Sequence, residues 1–364
     1  MKNRIRRSLH LIEKGVDAIK NAFFNRKGYD KNVQLIAYYG HGNDNLINFE
    51  GRVLKEVNIS ATKKNDSIFK NIMRMYKHFG SMELAGVHIT AKYGDEIRYA
   101  TTDEEGYYCF EFPFKSVADK KKLWHKIEVS ISVDQKFEAH QTAWVQVPIP
   151  STSFGIISDI DDTIIKTGAS NLLSALKTTF TKNADTRLPF NGVKALYKGL
   201  QNGLEDYPVN PIFYLSNSPW NLYDFLNEFM ELKDIPRGSL YLRDWGLDDV
   251  KLFVDDNHKL NTIKRMLTTY PKLSFILIGD SGEKDPEYYS TIVKQFPDRI
   301  LAVYIRDVSD SKRDLEVKAI KKDVEDLGVP MYLMEDSFVA AEHAERMQWI
   351  TSEQKELVRE EVWS

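Results

Sequence analysis

The stretch "FGIISDIDDTIIKTG", residues 154–168, opens on a continuous apolar run and then places Asp159, Asp161 and Asp162 within four residues. Continuous apolar runs of this length belong to strands buried on both faces. Carboxylates grouped at a strand end are costly, because burial and mutual repulsion both oppose ionisation. The stretch therefore predicts a buried strand whose carboxyl end carries acidic groups held by a cation.

Similar runs recur downstream. "PIFYLS" (211–216), "SLYLR" (239–243), "FILIG" (275–279) and "ILAVYI" (300–305) alternate with helical segments, among them "GVKALYKGL" and "NHKLNTIKRML". That order predicts an α/β region with a parallel sheet covered on both faces, a Rossmann-like arrangement over 151–335. Ligands of such sheets sit beyond the carboxyl ends of the strands. The residues arriving there are Asp159, Asp161 and Thr163 after the first strand, Ser216 and Asn217 after the second, and Asp280 and Asp285 in "GDSGEKDP". The helix before that last strand must begin at the same edge. Lys259 near its start reaches the edge, whereas Lys264 lies roughly 7 Å further down.

Carboxylates, a hydroxyl and an ammonium gathered at one edge suit a hard divalent cation and a phosphoryl group. Mg²⁺ takes oxygen ligands, here one or two carboxylates beside phosphate oxygens. The expected ligands are Asp159, Asp280 and the backbone carbonyl of Asp161. Asp159 is expected to attack phosphorus, and Asp161 to protonate the leaving oxygen and later deprotonate water. Thr163, Ser216, Asn217 and Lys259 would hold the transferring oxygens, with Asp285 orienting Lys259 or water.

"DIDDT", "LSNS", the helix beginning "HK" and "GDSGEKDP" resemble, in order, the four motifs of the haloacid-dehalogenase-type phosphohydrolases. More narrowly, "FGIISDIDDTIIKTG", "FYLSNSPWNLYDFL" and "FILIGDSGEKDPEYY" resemble the catalytic family of actin-patch-associated phosphatidate phosphatases, which shares its DxDxT signature with lipins. The resemblance covers about 151–310. It implies Mg²⁺-dependent conversion of phosphatidate to diacylglycerol and phosphate. Phosphoproteins or soluble phosphoesters are alternative substrates, and a catalytically silent lipid-binding scaffold is a third possibility that complete motifs argue against.

Only about 47 residues separate Thr163 from the second strand, so the cap is expected to be a small helical flap, "ASNLLSALKTTF" (169–180). An open site favours a bulky substrate. Leu172, Leu173, Leu176 and Phe180 either line that site for acyl chains or pack on the body. Arg243 is a candidate for a phosphate or headgroup contact, or for a structural ion pair. His258 is a weaker acid–base candidate, and Asp162 is expected in a turn. "VDDN" (254–257) is expected to cap the helix that follows, through Asn257 or Asp256.

Upstream, residues 31–150 change to short Val-, Ile-, Tyr- and Phe-rich runs: "NVQLIAYYGHG", "MELAGVHITAKYG", "EIRYATT", "GYYCFEFPF", "KIEVSISV" and "TAWVQVPIP". Gly, Asp and Lys turns separate them, as in an antiparallel β-sandwich. "TTDEEGYYCFEF" resembles the turn and strand of transthyretin-like sandwiches, with Gly106 permitting the turn. A helical insert, "SIFKNIMRMYKHFG" (67–80), interrupts the strands. Cys109, the single cysteine, reads as a core thiol, and one cysteine excludes an intramolecular disulfide or a Cys-rich zinc site. "DKKKLWHK" (119–126) is a solvated charge run or a basic loop for an anionic surface.

Residues 1–30 carry a basic amphipathic helix, with Ile5, Leu9, Ile12, Val16, Ile19 and Phe23 on one face. Residues 1–27 either touch a membrane surface peripherally or pack on the body. Residues 336–364 read as an acidic helical tail. With 50 basic and 53 acidic residues, no bulk field selects nucleic acid as a partner. No run approaches the roughly 20 apolar residues that span a bilayer. The expected location is the cytoplasm, with peripheral membrane contact the open alternative.

Overall fold

The computed structural model describes residues 33–55, 82–114, 122–133, 137–165, 189–243, 257–308 and 311–364. The amphipathic helix of 1–27, the insert of 67–80, the flap of 169–180 with its four apolar residues, and Asp256 lie outside the described residues.

Among the described residues nine strands build the first sheet: β1 (Val33–Ala37), β2 (Gly40–Gly42), β3 (Leu46–Lys55), β4 (Met82–Glu83), β5 (His88–Tyr93), β6 (Glu96–Thr101), β7 (Tyr107–Pro113), β8 (Trp124–Val133) and β9 (Phe137–Gln146). Their order is β1-β3-β2-β9-β8-β5-β6, with β4 and β7 also paired to β3. Pairing is antiparallel except between β2 and β9. Alternation in β7 turns Tyr108, Phe110 and Phe112 into a core shared with Phe49, Ile89, Ile127 and Val145. The same alternation turns Cys109 outward, where it is exposed, so it is not a core thiol. The turn before β7 follows the sequence: Gly106 adopts φ 79°, and Asp103 Oδ1 accepts from the amides of Glu105 (3.0 Å) and Tyr107 (2.8 Å). The basic run continues from Trp124 into β8, where the Lys126 ammonium lies 4.8 Å from the Trp144 ring centre.

β3 is a strand that the sequence pattern does not announce. Asn48 and Glu50 take the outward phase of its alternation, and Gly51 and Arg52 then interrupt the apolar rhythm, yet it pairs with β1, β2, β4 and β7. Gly51 is required there: a Cβ would lie 2.2 Å from the Ile36 carbonyl and 2.3 Å from the Tyr108 ring. Tyr108 crosses that gap and donates to the Ile36 carbonyl at 2.7 Å.

The second sheet has, among the described residues, six parallel strands: β10 (Gly155–Asp159), β11 (Ile212–Pro219), β12 (Ser239–Arg243), β13 (Phe275–Asp280), β14 (Ile300–Arg306) and β15 (Met331–Met334). Their order is β12-β11-β10-β13-β14-β15, so the winding reverses between β10 and β13. Among the described residues the helices are α1 (Val193–Asn202), α2 (Tyr223–Leu232), α3 (His258–Thr269), α4 (Asp285–Gln295), α5 (Ser311–Glu325), α6 (Phe338–Arg346) and α7 (Ser352–Trp363). Ile156, Tyr214, Ile276 and Tyr304 face α1, α2, α6 and α7 in one core. Ile157, Phe213, Leu277 and Val303 face α3, α4 and α5 in another. Burial on both faces explains why these strands are apolar without alternation.

The acidic tail is two helices. Gln348 takes φ 57° after α6, and Thr351 and Gln354 form a reciprocal capping box that starts α7. α7 covers α1: Val358 is buried, and Glu361 accepts the Ala195 amide at 3.1 Å.

The two sheets meet through buried polar groups. Gln146 Nε2 donates to the Ile212 carbonyl (2.6 Å) and Ser239 Oγ (2.8 Å), while its Oε1 accepts the Ile212 amide at 3.1 Å. Ser239 Oγ donates to the Gly40 carbonyl, and Tyr241 Oη meets His41 Nδ1, both at 2.8 Å. Satisfied buried pairs of this kind fix one register between the sheets.

Candidate active site

β10 and β13 are neighbours at the point where strand order reverses, the place where a crevice opens in such sheets. β10 ends on Asp159 and β13 on Asp280. After Asp159 the chain turns tightly, with Ile160, Ile164 and Ile165 buried as anchors and the Ile164 amide bonded to the Ile160 carbonyl at 3.0 Å. Asp162 takes φ 51° in that turn and its amide bonds the Ile165 carbonyl at 2.8 Å. That is the turn role expected of it.

Lys259 projects from the first turn of α3 and is 1% exposed. Its ammonium lies 2.6 Å from Asp159 Oδ1, 2.8 Å from Glu283 Oε2 and 2.9 Å from Asp285 Oδ1. Asp285, at the first position of α4, also accepts the Asp280 amide at 3.3 Å. Gly279 makes room for this approach, since a Cβ there would lie 2.5 Å from Asp285 Oδ2. Asp280 Oδ1 accepts the amides of Gly282 (2.7 Å) and Glu283 (2.9 Å), which closes the loop into α4.

Beside this group, Ser216 Oγ donates to Asp161 Oδ2 at 2.8 Å and accepts the Ser218 amide at 3.0 Å. Asn217 Nδ2 donates to Glu283 Oε2 at 3.1 Å. Thr163 is buried. Its carbonyl accepts from Arg306 Nε at 3.1 Å, and its hydroxyl has no hydrogen-bond partner among the described residues. The structure thus brings Asp159, Asp161, Ser216, Asn217, Lys259, Asp280 and Asp285 to one edge, with Thr163 on the adjoining turn.

Arg243 ends β12, two strands from Asp159, and His258 opens α3 next to Lys259. Asn257 occupies the cap position of α3 without a side-chain capping bond, and its carbonyl accepts the Asn261 amide at 2.8 Å; Asp256, the other capping candidate, is not among the described residues.

The electrostatics follow from burial. Burial raises Asp159 well above the usual carboxylate range despite Lys259, and Asp285 and Glu283 add repulsion. Burial pushes Asp161 up to about 6, with the Ser216 hydrogen bond opposing, and pushes Asp280 up to about 8, with Asp285 adding repulsion. Burial alone would lower Lys259, but Asp159, Asp285 and Glu283 outweigh it and hold the ammonium charged. Asp159, Asp280 and Asp285 each offer a carboxylate oxygen within 4.8 Å of the others. The Oδ2 atoms of Asp159 and Asp280 are buried without a hydrogen-bond partner among the described residues. Orphaned oxygens on buried carboxylates in an acidic cluster fit a hard, oxygen-seeking divalent cation.

Glu283, Arg306 and Arg313 complete the surroundings and escape a reading of the sequence. Arg306 ends β14 and is buried, with Nη2 on Ser337 Oγ at 3.1 Å. Arg313 in α5 holds the 281–287 loop through the carbonyls of Ser281 (3.0 Å) and Glu283 (2.8 Å) and the Glu287 carboxylate. "GEKD" contained a signal for Glu283, an acid between the two candidate aspartates Asp280 and Asp285. Nothing local marked the arginines.

Residues 154–307, from the start of β10 to the end of β14, match the family model described as the phosphatidate phosphatase APP1 catalytic domain. This segment therefore carries the pattern of an APP1-type catalytic domain. Among individual proteins, the chain is 33% identical over 196 residues to phosphatidate phosphatase APP1 of Saccharomyces cerevisiae, covering 52% of this chain and 32% of that one. It is 28% identical over 223 residues to an uncharacterized protein of Schizosaccharomyces pombe, covering 57% and 34%. The chain thus spans about a third of the length of these relatives.

Proposed function

We propose that this chain is a Mg²⁺-dependent phosphatidate phosphatase that releases phosphate and diacylglycerol through an aspartyl-phosphate. The observation that carries the reading is the convergence of Asp159, Asp280, Asp285 and Lys259 at the β10–β13 crevice. The likeness to the yeast enzyme supplies the substrate class.

Asp159 and Asp280, with the Asp161 carbonyl, would hold the cation, which supplies charge neutralisation for the phosphoryl group and the carboxylates when bound. Asp159 attacks phosphorus, forming a new O–P bond while the bond to the glycerol oxygen breaks. Asp161, held by Ser216 and pushed up to about 6, gives its proton to the departing alkoxide. In the second half it takes a proton from the water that cleaves the aspartyl-phosphate, and both residues return to their starting forms. Thr163, Asn217 and Lys259 hold the phosphoryl oxygens, joined by Ser216 once its hydroxyl turns from Asp161, and Asp285 keeps Lys259 in place.

Around this chemistry the parallel sheet reads as a Rossmann-like catalytic domain over 151–335, preceded by a transthyretin-like β-sandwich over 31–150 and followed by helices over 336–364. Among the described residues no helix is long and apolar enough to cross a membrane. The proposed setting is the cytoplasm, with the enzyme meeting its lipid at a membrane surface through peripheral contact.

The test is phosphate release from phosphatidate vesicles, phosphopeptides and sugar phosphates, with magnesium and after chelation. Activity is expected on the vesicles, dependent on magnesium and lost by at least about a thousandfold in Asp159→Asn. Hydrolysis of soluble esters alone defeats the lipid assignment, and full activity of Asp159→Asn defeats the mechanism.

A further inference from the structure

Lys259 and Asn217, the two nitrogen donors assigned to the phosphate, both donate to one atom, Glu283 Oε2, at 2.8 and 3.1 Å. Glu283 differs from the other carboxylates around Lys259. Asp159 and Asp285 are fully buried, whereas the Glu283 side chain is 38% exposed. Its backbone is fixed at both ends: the amide donates to Asp280 Oδ1, and the carbonyl accepts from Arg313. A pinned main chain with a solvent-facing side chain lets the carboxylate swing away without disturbing Asp280 or the loop.

A carboxylate oxygen and a phosphoryl oxygen are alternative acceptors for the same pair of donors. They cannot share that position, because both are anionic and like charges at contact distance repel. We infer that Glu283 is an internal competitor for the phosphoryl group. It occupies the Lys259–Asn217 donor pair, is displaced toward solvent when a phosphomonoester enters, and returns as inorganic phosphate leaves. The residue thereby sets affinity and product release rather than the chemical step. This rests on the reading of Lys259 and Asn217 as phosphate donors.

The sign of the effect separates this role from simple support. A residue that merely positions Lys259 would weaken phosphate binding when removed. A competitor would strengthen it. Calorimetric titration of inorganic phosphate into the full chain with magnesium present, together with KM and kcat on a phosphomonoester, compares wild type with Glu283→Gln and Glu283→Ala. Phosphate binding is expected to tighten about tenfold in both variants, as for loss of one partly screened repulsion. KM and the phosphate inhibition constant should fall in parallel, with kcat changed by less than about twofold. Because Glu283 is partly exposed, both variants are expected to fold, and thermal melts verify it. Unchanged or weaker phosphate binding in either variant overturns the inference while leaving the phosphatase reading intact. Absence of both phosphate binding and phosphomonoester hydrolysis in the wild type overturns the phosphatase reading and this inference with it.

Discussion

Replacing Lys259 with Met tests the electrostatic design of the crevice. Met retains most of the apolar stem, so packing in a position 1% exposed is largely preserved and the change is mainly one of charge. The ammonium sits within 2.9 Å of Asp159 and Asp285, both fully buried, and of the half-exposed Glu283. Removing one partner of a buried ion pair leaves an uncompensated charge, at a cost of about 3–5 kcal/mol. Much of a typical domain's stability of roughly 5–15 kcal/mol is then gone. Burial already raises the carboxyls that Lys259 faces, Asp159 and Asp285, and their neighbours Asp161, to about 6, and Asp280, to about 8. A carboxyl whose folded pKa lies above its unfolded value binds its proton more tightly when folded. Its contribution is present at low pH and lost as pH rises through the folded pKa. The deficit of Lys259→Met should therefore reach its full size near about pH 8.5 and shrink by at least about 1 kcal/mol near pH 5.5, where these carboxyls neutralise themselves. Urea denaturation of both proteins at the two pH values measures it. A divalent cation should restore part of the loss, by about 1.4 kcal/mol for each tenfold excess over its dissociation constant. A deficit below about 1 kcal/mol, or one equal at both pH values, would show that Lys259 is not the counter-ion of this cluster.

Two further substitutions reach different parts of the molecule. Gly279→Ala places a methyl 2.5 Å from Asp285 Oδ2 and 2.9 Å from the Tyr289 ring, so Asp285 must move off Lys259; a loss of about 1–3 kcal/mol and at least tenfold in kcat is expected, and wild-type turnover would refute the placement. His41, packed against Phe213, Tyr241 and Tyr270, is lowered by burial and then by Arg265 from 6.5 to about 3. Its neutral form is favoured by folding, so that stability is present above pH 6.5 and is lost as pH falls toward 3. At pH 5 the loss is about 2 kcal/mol, and melting curves of His41→Gln should lack that part of the pH slope. An identical slope in the variant would mean that His41 takes up no proton deficit at the junction of the sheets.

The legible parts of the fold are those where burial leaves no freedom of composition. β10, β11, β13 and β14 lie between two helical layers, so nearly every position is apolar and the strands stand out as runs. β15 escaped detection because it is a four-residue edge strand with two half-exposed positions, and "MYLM" resembles a helix turn as much as a strand. β3 escaped for a different reason. Its exceptions, Gly51 and Arg52, answer to tertiary neighbours, Tyr108 above one and Glu83 and Glu105 beside the other. Cys109 shows the opposite error: an apolar-looking residue in a strand of aromatics takes the outward phase, in step with Glu111 and opposite Glu50.

The same distinction applies to the crevice. Asp159, Asp161, Ser216 and Asp280 were readable because each stands at the end of an apolar run, and a strand end has one direction in which to point. Lys259 was readable because a helix entering at that edge has a definite start. Glu283 stands on a loop, where spacing does not determine direction, and its meeting with Lys259 and Asn217 depends on Asp280 capping the loop from one side and Arg313 holding it from the other. Motifs thus locate the groups that rigid elements aim. Residues that meet those groups from loops are clamped by distant parts of the chain, which is why the place of Asp159 can be read from five residues of sequence and that of Glu283 only from three dimensions.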